Sequence, residues 1–195
     1  IRAVDAGCDV VVAQGTEAGG HTGTVATMPL VPLIVDAVKV PVVAAGGIFD
    51  GRGLVAALAL GAQGIWMGTR FIASTEARAH RDFKDKIVAI DEAETVVTRC
   101  YSGKTMRAIR NRYTDEWEAR KAELQPFPIQ AARATQDGVW HIGVGPEAGF
   151  DAERDCMPTG QSAGGIASVK PCRAIVADIV AQAEAVLSRL PRPSA

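Results

Sequence analysis

Short apolar runs, each ending at glycine, set the rhythm of the first half of this chain. CDVVVAQ (8–14), PVVAAGGI (41–48) and GIWMGTRFIAS (64–74) are rich in valine, isoleucine and alanine. Near-continuous apolar runs of that length predict parallel strands covered on both faces. Between them, MPLVPLIVDAVK (28–39) and DGRGLVAALALGA (50–62) place apolar residues at helical spacing. Leu33, Ile34 and Val38 share one side of the first helix; Leu54 and Leu58 mark the second, which Gly61 is placed to end. Strands alternating with helices at this interval predict right-handed βαβ units.

The second half is less regular. TEARAHRDFKDKIVAI (75–90) reads as an amphipathic helix, ETVVTRCYS (94–102) as a short strand, and RNRYTDEWEARKAEL (110–124) as a charged, solvated helix. Residues 126–165 mix glycine, proline and polar residues and read as irregular with at least one helical turn. PCRAIVADIVAQAEAVLSRL (171–190) is a strong final helix with Ile175, Ile179 and Val186 on its apolar stripe, and LPRPSA is a tail. There is no internal repeat.

Composition narrows the class. The 195 residues are 48% hydrophobic and 22% charged, with a net charge of −1. This is a globular composition, and it gives no electrostatic reason to expect nucleic acid or a membrane surface as partner. No apolar run reaches the roughly 18–20 residues needed to span a bilayer. Cys8, Cys100, Cys156 and Cys172 are far apart, with no CxxC or Cys/His spacing, so reduced thiols in a cytoplasm and no metal are the expectation. The chain opens at Ile1, and IRAVDAGCD reads as a helix end feeding a strand, which predicts a segment upstream.

The chemistry gathers where the strands end. AAGG (44–47) closes a predicted strand with Gly46-Gly47. Such a turn is either a tight βα connection or bare backbone N–H groups set to receive a phosphate, aided by the start of the next helix. MGTRF (67–71) repeats the arrangement one strand later: Gly68 admits a ligand, and Thr69 offers a hydroxyl and an N–H. Arg70 either adds charge there or makes a surface salt bridge. Two successive turns of this kind match the phosphate site of (β/α)₈ barrels. GTEAGGHTG (15–23) lies one strand earlier, which puts His21 on the same face. A lone histidine is commonly structural. On a glycine loop beside a phosphate site, His21 reads instead as a catalytic group, with Glu17 either orienting its ring or capping a backbone turn.

VVAQGTEAGGHTG, PVVAAGGIFDGRGLVAALALGAQGIWMGTRFIAS and GQSAGGI (160–166) together resemble the nitronate monooxygenases, formerly 2-nitropropane dioxygenases. The resemblance is specific over residues 1–80 and looser to about residue 190. It implies an α/β fold, a (β/α)₈ TIM barrel binding FMN, of which strands six to eight are present. Residues 1–90 would belong to the barrel, and residues 91–195 to a helical and irregular region packed on it. His21 would be the catalytic histidine beside the flavin. Gly19, Gly20, Ala45, Gly46, Gly47, Gly68 and Thr69 would line the FMN, and Gln161 would help to close its pocket. The absence of GxGxxG also favours FMN over a dinucleotide. Strands one to five would be supplied from elsewhere, whether as the missing N-terminal half or by another copy in a homo-oligomer. Val10, Val12 and Val42 would then lack interior partners.

Two enzyme readings share these motifs: oxidation of an alkyl nitronate by O₂, and an NAD(P)H-dependent reductase or dehydrogenase of a CoA or carrier thioester. A phosphate-binding module without turnover is a third. Barrels related to inosine-monophosphate dehydrogenase share GGI and ALALGA patterns but carry a reactive cysteine in an active-site loop. None of the four cysteines here sits in that context.

Overall fold

A computed structural model describes residues 1–141 and 149–191. Its first half runs α1 (Arg2–Asp5), β1 (Val11–Gln14), β2 (Gly20–His21), α2 (Thr27–Ala37), β3 (Val42–Ala45), α3 (Gly51–Ala59), β4 (Gly64–Trp66), α4 (Thr69–Ile72) and α5 (Arg81–Ala89). Then follow β5 (Thr95–Thr98), β6 (Met106–Ile109), α6 (Arg112–Ala119), α7 (Ile129–Gln136) and α8 (Cys172–Leu187), with 3₁₀ turns at Glu92–Glu94, Lys121–Glu123 and Gln161–Gly165.

Strands β1, β3 and β4 form a parallel sheet in that order, with Ala13 opposite Ala44 and Ala44 opposite Ile65. Small side chains let α2 and α3 lie close over one face. Ala13, Val42, Ala44, Val31, Ala57 and Ala62 make a core there, with Ile34, Val35 and Val38 packed against it. The other face alternates outward, as strand geometry requires. Val12 is 43% exposed and Trp66 65% exposed. Of the three strand valines singled out above, Val42 is buried, whereas Val10 and Val12 are exposed.

Helix α3 shows how local chemistry sets its ends. The Asp50 carboxylate accepts from the N–H groups of Arg52 and Gly53, and Gly61 adopts φ +91° just past the last turn. Gly51 has no room for a side chain, since a Cβ there would stand 2.3 Å from Ala183 N on α8. That contact brings α8 against α3, and α8 buries Ile175, Ile179 and Ala183.

The second sheet is antiparallel, ordered β2-β6-β5. All four residues of β6 are buried. Cys100, Tyr101, Met106, Ala108, Tyr113, Trp117 and Cys156 form the core beside it. A third cluster joins Phe83 and Ile87 of α5 to Ile109, Met157, Ala163 and Ile166. Residues before and after position 90 therefore share both a sheet and a core.

Several elements depart from the expectations above. The run 64–74 is a strand entering a turn, as expected, but the strand is only Gly64–Trp66 long. The chain turns at Gly68 into the short helix α4. Strand β1 begins at Val11, and α5 begins only at Arg81, after a turn. Strands β2 and β6 were not anticipated. Helix α6 is charged but not solvated all round, because Tyr113, Thr114 and Trp117 are buried along one side. Leu33 and Leu58 face outward, and α3 instead buries Val55 and Ala57 along with Gly51. The irregular stretch holds α7 as well as the 3₁₀ turn at Gln161–Gly165. Residues 142–148 of that stretch, and 192–195 of the tail, lie outside the described residues. Among the described residues no helix is long and apolar enough to cross a membrane.

Candidate functional site

At the C-terminal ends of the three parallel strands lies a cleft of about 190 Å³. Its walls include Gly19, Ala45, Gly46, Gly47, Gly68 and Thr69, so six of the predicted residues meet there. Gln14, Trp66, Pro158 and Ser162 complete much of the lining.

Backbone geometry explains the glycines. Gly46 has φ +102° and Gly47 φ +72°, a region that side chains with a Cβ disfavour. A Cβ on Gly46 would also lie 2.8 Å from Thr27 Oγ1 and 3.0 Å from Gly15 O. Gly68 has open space where its side chain would be. Gly19 is needed for another reason: a Cβ there would stand 2.7 Å from Gly160 N and from the Thr159 carbonyl carbon. Among the described residues, the N–H groups of Gly47, Ile48, Thr69 and Arg70 find no protein acceptor. The Thr69 hydroxyl oxygen accepts from Gly160 N at 2.9 Å, and its proton is left without a protein acceptor. The cleft is thus edged by hydrogen-bond donors from two adjacent turns.

Charge is arranged differently from the expectation. Arg70 is only 7% exposed, and its Nη2 donates to Ala73 O at 2.6 Å and Ser168 O at 2.7 Å. It makes neither a surface salt bridge nor a wall of the cleft. Burial lowers its pKa, opposed in part by Asp178. The start of α3 is also spent, on the Asp50 carboxylate and on Gln182 Oε1, which accepts from Gly51 N at 3.1 Å. No free helix terminus from α3 reaches the cleft.

His21 sits beside this cleft and does not line it. It borders an adjoining open depression with Arg99, Lys104 and Thr105, and Gln14 belongs to both hollows. The His21 backbone pairs with Met106, and Gln14 Nε2 donates to the His21 carbonyl at 2.7 Å. Its ring Nε2 lies 2.8 Å from Ser102 Oγ. Glu17 does not orient that ring. It accepts from Thr27 N at 2.9 Å and from Thr27 Oγ1 at 2.8 Å, and so caps α2. Gly20 takes φ +79° at the start of β2, outside the cleft. Gln161 is also outside it. Its N–H donates to Glu17 O at 2.9 Å, which ties the GQS segment to the glycine loop.

Ser102, Pro158 and Ser162 were not anticipated at the site. Ser102 is 81 residues from His21, and only the SGK turn between two β-rich runs hints at a hairpin there. Gln14 carried a signal, being the one polar residue at the end of an apolar strand.

The family model for nitronate monooxygenase matches residues 2–182. The chain belongs to the nitronate monooxygenase family. A probable nitronate monooxygenase of Staphylococcus aureus (strain MSSA476) is 39% identical over 192 residues, covering 93% of this chain and 52% of the relative. The chain spans about half the length of the curated relatives it matches. Among solved structures it is similar to FabK from Thermotoga maritima, at TM-score 0.83 and 40% identity, covering 96% of this chain and 58% of the other. It is also similar to a nitroalkane oxidase from Streptomyces ansochromogenes, at TM-score 0.79 and 30% identity, covering 97% and 56% respectively.

Proposed function

We propose that this chain supplies strands six to eight of a (β/α)₈ barrel, with the donor-edged cleft as its FMN phosphate site, in an enzyme that oxidises alkyl nitronates with O₂. One observation carries this reading. The unpartnered N–H groups after β3 and β4 converge on a single cleft, as the phosphate loops of such barrels do. The cleft suits a phosphate bound by backbone donors and the Thr69 hydroxyl, since Arg70 is turned away. When bound, FMN supplies the electron-accepting chemistry. Gly46, Gly47, Gly68 and Thr69 hold its phosphate, and Gly19 and Ala45 line it. His21, exposed beside the cleft, takes the α-carbon proton of a neutral nitroalkane and so yields the nitronate that is oxidised. The family match and the likeness to a nitroalkane oxidase support the substrate class.

The test uses the purified holoprotein. Cofactor released on denaturation is expected to be FMN, and a nitronate is expected to reduce it anaerobically. With a neutral nitroalkane as substrate, His21→Ala should keep the flavin and lose turnover by about 10²–10⁴-fold, the usual range for a general base. Finding FAD overturns the phosphate-site reading. Reduction by NAD(P)H and not by nitronate moves the assignment to a thioester reductase.

A further inference from the structure

Ser102 is 1% exposed, and three groups crowd its single hydroxyl within 3.2 Å, with the weaker acceptor Met106 Sδ farther off at 4.0 Å. His21 Nε2 is at 2.8 Å, Lys104 N donates from 3.2 Å, and Lys104 O lies at 3.2 Å. A serine hydroxyl has one proton to give and two lone pairs to fill. Two wirings are available. In the first, the hydroxyl donates to His21 Nε2. The Lys104 carbonyl then loses its Ser102 bond, and one lone pair of a buried oxygen stays empty. In the second, Nε2–H and Lys104 N–H fill both lone pairs, while the hydroxyl proton goes to Lys104 O. Every bonding position of the buried oxygen is then used, the arrangement that interiors favour.

We propose that Ser102 is a positioning residue that holds His21 as the Nε2–H tautomer, so that Nδ1 presents the basic lone pair. This rests on the reading of His21 as the base. The second wiring suits that work for a further reason. When Nδ1 gains a proton, Nε2–H remains on Ser102, so neither side chain needs to rotate between the neutral and charged forms. The rest of the hairpin fixes the frame. His21 pairs with Met106 in the sheet, and Thr22 N donates to Thr105 O at 3.2 Å. The backbone of the histidine is therefore tied directly to the segment that follows the turn bearing Ser102.

The experiment is ¹⁵N NMR of the histidine ring in the flavin-loaded protein, paired with steady-state kinetics on a neutral nitroalkane. In wild type, neutral His21 should show a protonated Nε2 and an unprotonated Nδ1. Ser102→Ala should mix the tautomers and lower kcat about tenfold, a fraction of a general base's contribution, with KM and flavin content little changed. Ser102→Thr, which keeps the hydroxyl, should restore the single tautomer and most of kcat. A wild-type Nδ1–H tautomer overturns the proposal, as does Ser102→Ala leaving the tautomer unchanged. Should Ser102→Ala fail to fold, the wild-type tautomer alone decides. If Ser102→Ala shifts the tautomer while His21→Ala turns over normally, the base reading fails and the tautomer assignment stands.

Discussion

The two three-stranded sheets do opposite work with opposite means. The parallel sheet buries small residues under its helices, leaves Val12 and Trp66 exposed on its other face, and forms its cleft from backbone. The antiparallel sheet is buried throughout its central strand and forms its part of the site from side chains, with Ser102 held against the ring of His21. One region is specified by what it lacks, a Cβ at Gly46 and Gly47. The other is specified by what it packs, including Tyr101 stacked on Tyr113 with ring centroids 5.2 Å apart. Substitutions should therefore fail differently in the two places.

Trp117→Ala offers the harshest test. Trp117 is almost fully buried under the antiparallel sheet, and truncating such an aromatic costs about 3–5 kcal/mol. Denaturant melts should show that loss, while the folded fraction keeps its flavin. Gly46→Ala should give the reverse emphasis. Forcing a Cβ onto a positive-φ position costs about 1–3 kcal/mol. The disturbed turn should lower flavin per folded protein more than it lowers the melting midpoint. Equal flavin loss in both variants would break the contrast between the two sheets.

The smallest effect concerns helix α8, which packs against α3. The Cys172 N–H donates to the exposed Glu76 carboxylate at the start of α8, at 2.9 Å. With help from the Thr75 hydroxyl, it pulls the Glu76 pKa from 4.5 to about 2. A carboxyl depressed on folding contributes fully above its unfolded value, and that contribution fades as pH falls. Acid titrations of Glu76→Gln should lack the small part of the stability loss that wild type shows between pH 4.5 and 2. Identical acid profiles would mean that the Glu76 cap of α8 adds nothing to stability.

Much of the parallel half was legible in the sequence because its signals are local. A valine run, a glycine pair and a helix repeat within a few dozen residues, and six predicted cleft residues do converge. The antiparallel half depends on partners that are distant along the chain. Strand β6 carries Arg107 in its middle, a residue that argues against a buried strand. Its guanidinium is satisfied by donating to Thr16 O at 2.9 Å and Thr95 Oγ1 at 3.1 Å, neither of which periodicity can foresee. The buried side of α6 was readable, since Tyr113 and Trp117 stand one helical turn apart. The charged residues around them masked it. Arg70 misled for the same reason: a cation beside a glycine turn suggests an anion, whereas its actual acceptors are carbonyls, one of them 98 residues away.

Thr27 joins two parts of the site that the chain keeps apart. Its hydroxyl meets the Glu17 carboxylate at 2.8 Å and the Gly46 carbonyl at 3.0 Å, so the loop leading to His21 and the turn edging the cleft share one anchor. A free glycine-rich loop would surrender considerable conformational entropy on closing around a ligand. Tied through Thr27 to the cleft turn, this loop has less of that entropy to lose, and more of any binding energy goes to affinity instead of to ordering the chain.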